Sequence, residues 1–417
     1  MTDYSRVARK ITWVLFANQS LASAGFIAAA TINSILGAKL GGNDYWTGVP
    51  SAVYLLGAAF AASMWGVVFE RIGRRNSMVL GLLIGVVGNT LVLYAIGVSA
   101  LFLFLIGMLM MGITNAAVVL GRFAAAEVNP PDQRGKAISQ VVWGGTFGAV
   151  FGPLLVGPMG EFALSISMDE LAGPYIATLV LFTIAAVVVL IGLRPDPREL
   201  GREVATLYPE SAPHGETRSI REILFQPAAL TAVIAMILGQ VVMVGLMVIT
   251  SRHMNHNQHG LTDISRVIQS HTIGMYAFSV ITGYLADKWG RGQVILAGAA
   301  MLLLACVLAP LSPDVIPLAV ALFFLGIGWN FCFVGGSTLL ADQLSPAERS
   351  TTQGFSDLLV GLASAVASLS SGFVFAATNY TIISIAAGGL SLVPLVMSLL
   401  WLKKKAVIKT MAADSAD

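Results

Sequence analysis

Met243 and Met247 stand four residues apart, and so do His271 and Met275. At 3.6 residues per helical turn, each pair shares one helix face. Thioether plus imidazole is a soft donor set that suits Cu(I). Between the pairs lies His253-Met-Asn-His256-Asn-Gln-His259, and with His271 four of the chain's five histidines fall in a 19-residue window. That window would serve as a metal-capture segment. It equally suits an apolar protein with 16 methionines, where methionine commonly fills helix packing and an inner histidine is hydrogen-bonded structure. A second constellation points to a different cargo. Trp143 and Phe147 are four apart, Trp329, Asn330 and Phe331 are consecutive, and Asn18, Gln19, Asn115, Gln140 and Gln240 are amides within apolar runs. Amides at membrane depth are costly and face a cavity or another helix, and tryptophan otherwise prefers the membrane interfaces. Aromatic faces with a few placed amides suit a flat organic ligand of little formal charge. Gln240, Met243 and Met247 share one face, so the methionines and His271 would then be apolar contacts and a hydrogen-bond partner without any metal.

The elements that must position these residues follow from composition. The chain has 417 residues, 56% hydrophobic and 11% charged, against about a quarter charged in soluble domains. Its mean hydropathy is +0.80. Apolar runs of about 20 residues, each enough to cross a bilayer core, recur along the chain. They predict twelve spans, at 12–37, 47–69, 77–97, 100–125, 137–158, 172–193, 228–250, 264–285, 293–310, 315–341, 353–377 and 381–402. The fold class is therefore an all-α polytopic membrane protein with 12 transmembrane helices. The first run is too long for a signal-peptide core and has no clear cleavage site. The expected organisation is an N-terminal six-helix half (1–193), a hydrophilic linker (194–227) holding His214, a C-terminal six-helix half (228–402) and a basic tail (403–417). Cys306 and Cys332 lie far apart in apolar segments and suggest neither a disulfide framework nor a thiolate site. No nucleotide-binding G-x-x-x-x-G-K-[ST] loop and no nucleophile–base set occurs, so the chain is not expected to be an enzyme. The expected partners are a small-molecule substrate and the lipid bilayer. No nucleic acid and no resident cofactor is expected, and the chain is expected to act as a monomer.

Charge placement sets the expected orientation. Twenty of the 24 lysines and arginines fall in the tails and in the loops after even-numbered spans. The opposite side holds Lys39, Arg252 and the nearby Arg266, while Arg122 lies near the even-side end of span 4. The positive-inside rule then places both termini and the linker in the cytoplasm of a bacterial-type inner membrane, and turns the histidine segment outward.

An internal repeat links the halves. Gly66-Val-Val-Phe-Glu70-Arg71-Ile-Gly73-Arg74-Arg75 follows span 2, and Gly283-Tyr-Leu-Ala-Asp287-Lys288-Trp-Gly290-Arg291-Gly292 follows span 8. A weaker pair joins Glu127 and Arg134 to Asp342 and Arg349. Two related halves indicate a transporter with its site where the repeats meet. Glu70, Arg71, Arg74, Arg75, Asp287, Lys288 and Arg291 read as gating charges that pair across neighbouring helices. The alternative reading is that they only enforce topology. The glycines suit close helix approach and tight turns.

The repeated G-x-x-x-[DE]-[RK]-x-G-[RK] loop resembles that of the major facilitator superfamily over about residues 10–402. The resemblance implies two pseudo-symmetric six-helix halves, alternating access and a cavity near mid-membrane. Gly148-x-x-x-Gly152-Pro153-x-x-x-Gly157 partly resembles an antiporter motif of that superfamily, and reads equally as small-residue packing with a proline kink. Met243-x-x-x-Met247 with His271-x-x-x-Met275 is similar to the signature of the CcoA-like transporters, which include a copper-importer and a riboflavin-transporter branch. The copper branch also uses cysteines, whereas Ala228–Asn257 contains none. The resemblance therefore favours riboflavin uptake, with a copper importer using Met243, Met247, His271 and Met275 second and multidrug-type efflux third. Asp357 lies near the cytoplasmic side of span 11, so His271 is the only group with a near-neutral reference pKa well inside a span. Proton coupling through it and facilitated diffusion both stay open.

Overall fold

The structure, a computed structural model, describes residues 2–130, 133–207 and 218–414. His214, within residues 208–217 of the expected linker, and residues 415–417 of the expected tail lie outside the described residues. The chain divides into two compact units: Met1–Ala212 with Met254–Gln269, and Pro213–His253 with Ser270–Asp417.

The first unit contains α1 (Thr2–Gly41), α2 (Val49–Ile72), α3 (Arg74–Gly97), α4 (Leu101–Glu127), α5 (Arg134–Leu154), α6 (Val156–Ser165), α7 (Gly173–Gly192) and α8 (Pro197–Leu207). Prolines sit in the first turn of α2 and α7, where the missing N–H costs nothing. Gly73, at φ 84°, separates α2 from α3, a backbone state glycine enters without strain. Pro153 lies inside α5, and the chain bends by 47° into α6, as loss of an intrahelical hydrogen bond requires. Helices α1 and α5 run side by side. A Cβ at Gly144 would come within 2.5 Å of the Phe16 carbonyl oxygen, and one at Gly152 within 2.6 Å of that of Ala24. One at Gly148 would overlap the Ser20 carbonyl. The antiporter-like stretch is thus a small-residue packing surface followed by a bend. Buried polar groups stitch the unit internally. Trp65 Nε1 donates to the Ile113 carbonyl at 2.8 Å, Tyr175 Oη to Asn33 Oδ1 at 2.5 Å, and Thr178 Oγ1 to the Gly25 carbonyl at 2.9 Å. Such bonds have no competing water in a bilayer.

The second unit contains α9 (Ile220–Leu224), most of α10 (Pro227–His256), the end of α11 (Leu261–Tyr276), α12 (Ser279–Lys288), α13 (Arg291–Leu308), α14 (Val315–Ala341), α15 (Pro346–Ala377) and α16 (Tyr380–Asp414). Gly290, at φ 104°, repeats the turn of Gly73 217 residues earlier. The other repeated pair behaves differently. A Cβ at Gly66 or Gly283 would meet nothing within 4 Å among the described residues, so the expected close approach is not made there. It is made where α11 crosses α14. A Cβ at Gly274 would lie 2.5 Å from the Phe323 carbonyl oxygen, and one at Gly326 would overlap the His271 carbonyl.

Among the described residues ten helices are long and apolar enough to cross a membrane, or eleven with the bent α5–α6 pair counted as one span. The expected span 264–285 is two helices, α11 and α12, interrupted at Ala277–Phe278. Asn330 on α14 holds the interruption. Its Nδ2 donates to the Met275 carbonyl at 2.7 Å and to Ser279 Oγ at 2.9 Å, and its Oδ1 accepts from Thr282 Oγ1 at 2.5 Å. The amide gives the Met275 carbonyl a donor where the helix is interrupted.

Candidate functional site

In the second unit the structure joins three elements at Trp329. Its Nε1 donates to Gln240 Oε1 on α10 at 2.5 Å. Its ring stacks on Phe333 one turn along α14, with centroids 5.2 Å apart and planes at 16°. Tyr276, at the end of α11, meets it edge-on at 6.1 Å. Gln240 and Trp329 were both legible as mid-span polar and aromatic residues. Tyr276 and Phe333 were not singled out. The i, i+4 spacing of Trp329 and Phe333 is the signal that identifies the second of them.

Met243 and Met275 are buried, and Met247 is half-buried. His271 is fully buried, with Nδ1 2.9 Å from the Leu322 carbonyl oxygen of α14. A carbonyl only accepts, so Nδ1 carries the proton and Nε2 presents a lone pair. That Nε2 is buried and has no hydrogen-bond partner among the described residues. Both ends of the Asn330 amide are engaged at the α11–α12 break. Cys306 and Cys332 are buried free thiols, and Cys332 packs where Gly239 of α10 meets α14.

In the first unit Trp143 is 54% exposed. It meets Phe147 edge-on at 5.1 Å, Phe147 meets Phe16 of α1 at 5.8 Å, and Phe151 stacks on Phe147 at 6.4 Å. The i, i+4, i+8 spacing of the three α5 rings makes this strip. Asn18 is buried and its Oδ1 lacks a partner among the described residues, whereas Gln19 donates to Ser23 Oγ at 3.1 Å. Asn115 and Gln140 are half-buried on α4 and α5. The outer histidines are spread over different contacts. His253 stacks on Tyr380 at 4.3 Å, and His256 Nε2 lies 3.3 Å from Asp44 Oδ2. Among the described residues no group of three or more His, Cys, Asp or Glu side chains is placed to hold a metal ion.

The repeated charges form one arginine-centred cluster in each unit. Arg74 Nε and Nη2 reach Glu127 at 2.9 and 2.6 Å, a forked contact, and Nη2 also reaches Glu70 at 2.7 Å. Arg291 pairs with Asp287 at 3.0 Å and Asp342 at 2.9 Å. The weaker repeat thus supplies the second acid of each cluster, although the side chain of Arg349 lies outside the described residues. Arg71 is exposed, Arg75 is half-buried, and Lys288 lies 5.7 Å from the Tyr284 ring centre. Asp196 went unread. Its carboxylate accepts from the backbone N–H of Arg74 and Arg75 at 3.1 and 3.0 Å, at the positive end of α3.

A second unread contact ties the end of the linker to α15. Arg218 donates through Nε and Nη2 to Glu348 at 2.9 and 2.8 Å, and through its backbone N–H at 2.9 Å. The Arg218 guanidinium, then that backbone N–H and the Ser345 N–H, hold the Glu348 carboxyl well below the usual carboxylate range. A depressed folded-state pKa stabilises above the unfolded value of about 4.3 and is lost as pH falls through the folded value. The melting-temperature gap between wild type and Glu348→Gln is therefore expected to stay constant from pH 7 to 5 and narrow only below. A gap already closed at pH 5 would contradict this assignment.

The fold and these clusters can be set beside known proteins. The sequence profile of the Major Facilitator Superfamily matches residues 14–270 and 253–410. The uncharacterized MFS-type transporter YdeG of Bacillus subtilis (strain 168) is 35% identical over 386 residues, 92% of this chain and 90% of the relative. The riboflavin transporter RfnT of Brucella anthropi is 28% identical over 404 residues, covering 96% and 98%. Among solved structures, the nucleoside transporter NupG superposes with a TM-score of 0.69 at 15% identity, over 95% of this chain and 99% of that one, a likeness of fold. Members of this family move small molecules through membranes and are not enzymes. With apolar helices in both units, the glycine turn repeated 217 residues apart and an arginine-centred cluster beside each turn, this chain is a multi-pass membrane protein that belongs to the major facilitator superfamily.

Proposed function

We propose that this protein imports riboflavin across a bacterial inner membrane by alternating access, with both termini cytoplasmic. The observation that carries the reading is the Gln240–Trp329–Tyr276–Phe333 cluster, an amide bonded to an indole that packs against two further aromatic rings. A flavin offers a flat ring system for stacking and an imide edge for an amide or for the free Nε2 of His271. The end-to-end similarity to a riboflavin transporter supports the same cargo. On this reading Asn18, Gln19, Asn115, Gln140 and Trp143 line the pathway in the N-terminal half. The charges around Arg74 and Arg291, with Arg71, Arg75 and Lys288 beside them, brace the cytoplasmic ends of each half as it moves.

One observation favours a second cargo. An imidazole with Nδ1 fixed on a carbonyl and Nε2 open is oriented as metal-ligating histidines are, and Met275 stands one turn from it. Copper transport through Met243, Met247, His271 and Met275 is the alternative. Paired uptake decides between them. Labelled riboflavin uptake in a riboflavin auxotroph and copper accumulation in the same strain are measured for wild type, Trp329→Ala and Met243→Ala. The expected result is flavin uptake by wild type, a loss of about 100-fold in Trp329→Ala, consistent with stacking and hydrogen bonding both removed, and no copper gain. Copper gain abolished by Met243→Ala, without flavin uptake, would reverse the assignment.

A further inference from the structure

Apart from the clusters above, five arginines converge on one cavity of about 460 Å³ in the first unit. Arg71 ends α2, Arg75 begins α3, Arg194 follows α7, and Arg198 and Arg202 lie on α8. Asp196 and Glu199 also line it, so five positive charges less two negative leave a formal excess of three. One of the two acids is already used: Asp196 accepts from the backbone N–H groups of Arg74, Arg75 and Arg198. None of the five guanidinium groups forms an ion pair among the described residues. Among the described residues the Arg75 guanidinium makes only long contacts of 3.4 Å, to Asn76. Arg198 Nε is buried with no hydrogen-bond partner among the described residues.

Like charges gathered around a concave space repel one another unless an anion sits among them. Guanidinium forks match phosphate oxygens in geometry as well as charge. The volume lies within the range of small-ligand sites. The cavity adjoins the end of span α2 and the start of span α3, and basic pockets at the ends of membrane spans take anionic headgroups. Exposed Ile72 on its lining offers an apolar contact beside the charges.

We propose that this cavity binds a phosphoryl group, supplied by an anionic lipid headgroup or by a free phosphate compound. The test uses the full-length protein purified in detergent. Thermal unfolding and native mass spectrometry are followed with phosphatidylglycerol, with phosphatidylcholine, and with inorganic phosphate at matched ionic strength. Wild type, Arg198→Gln/Arg202→Gln and Lys136→Gln are compared, the last removing a charge outside the cavity. Phosphatidylglycerol is expected to raise the melting temperature and leave one lipid bound per chain. The double variant is expected to bind on the order of 30-fold more weakly, and Lys136→Gln to bind as wild type does. Stabilisation by inorganic phosphate equal to that by the lipid assigns a soluble ligand. Stabilisation by phosphatidylglycerol alone assigns the lipid. Loss of binding in Lys136→Gln equal to that in the double variant would overturn the proposal, as would unchanged binding in the double variant or no stabilisation by either phosphate source.

Discussion

Gly326→Val is expected to destabilise the protein by about 3 kcal/mol. A Cβ at Gly326 would overlap the His271 carbonyl and lie 2.8 Å from the Met275 backbone nitrogen. Both are backbone atoms, so no side-chain rotation relieves the clash. Helices α11 and α14 would have to separate, pulling His271 from the Leu322 carbonyl and Asn330 from the α11–α12 break. Gly361→Ala is the matched control. Among the described residues a Cβ there meets nothing within 4 Å, and alanine in an open helix position is neutral or favourable by about 1 kcal/mol. Thermal unfolding of both purified variants checks this. A Gly326→Val protein as stable as wild type would mean that the two helices do not cross at that glycine.

The second large effect separates the two arginine clusters. The Arg74 side chain is 11% exposed and that of Arg291 28%. Among their partners, Glu127 is 33% exposed and Glu70 63%, against 76% and 47% for Asp287 and Asp342. Arg74→Ala leaves a half-buried Glu127 without its forked partner and is expected to cost about 3 kcal/mol. Arg291→Ala breaks pairs that water and salt already screen, and is expected to cost about 1 kcal/mol. A double-mutant cycle with Glu127→Gln should return most of the Arg74 loss as coupling. Equal losses at Arg74 and Arg291 would show that burial does not separate the two clusters.

What the residues settled unaided was whatever depends on local pattern. Apolar runs of bilayer length, basic loops and the repeated glycine–acid–arginine motif were enough for a helical membrane protein with two related halves. Gly73 and Gly290 were readable as turns because a positive φ is a local property, and both adopt one. Pro153 was readable as a kink for the same reason. Asn330 was readable only as a polar residue in a span. That it holds the break in the expected span 264–285 depends on α12 lying against α14, which no local spacing encodes. Glu127 and Asp342 were visible as a weak repeat, but their arginine partners lie 53 and 51 residues away. Asp196 and the convergence of Arg71, Arg75 and Arg198 arise because α8 folds back beside the start of α3. The pairing of Gln240 with Trp329 spans 89 residues. Residue types and periods along one helix were legible because the helix itself enforces them; which helices meet, and at which atoms, was decided by packing.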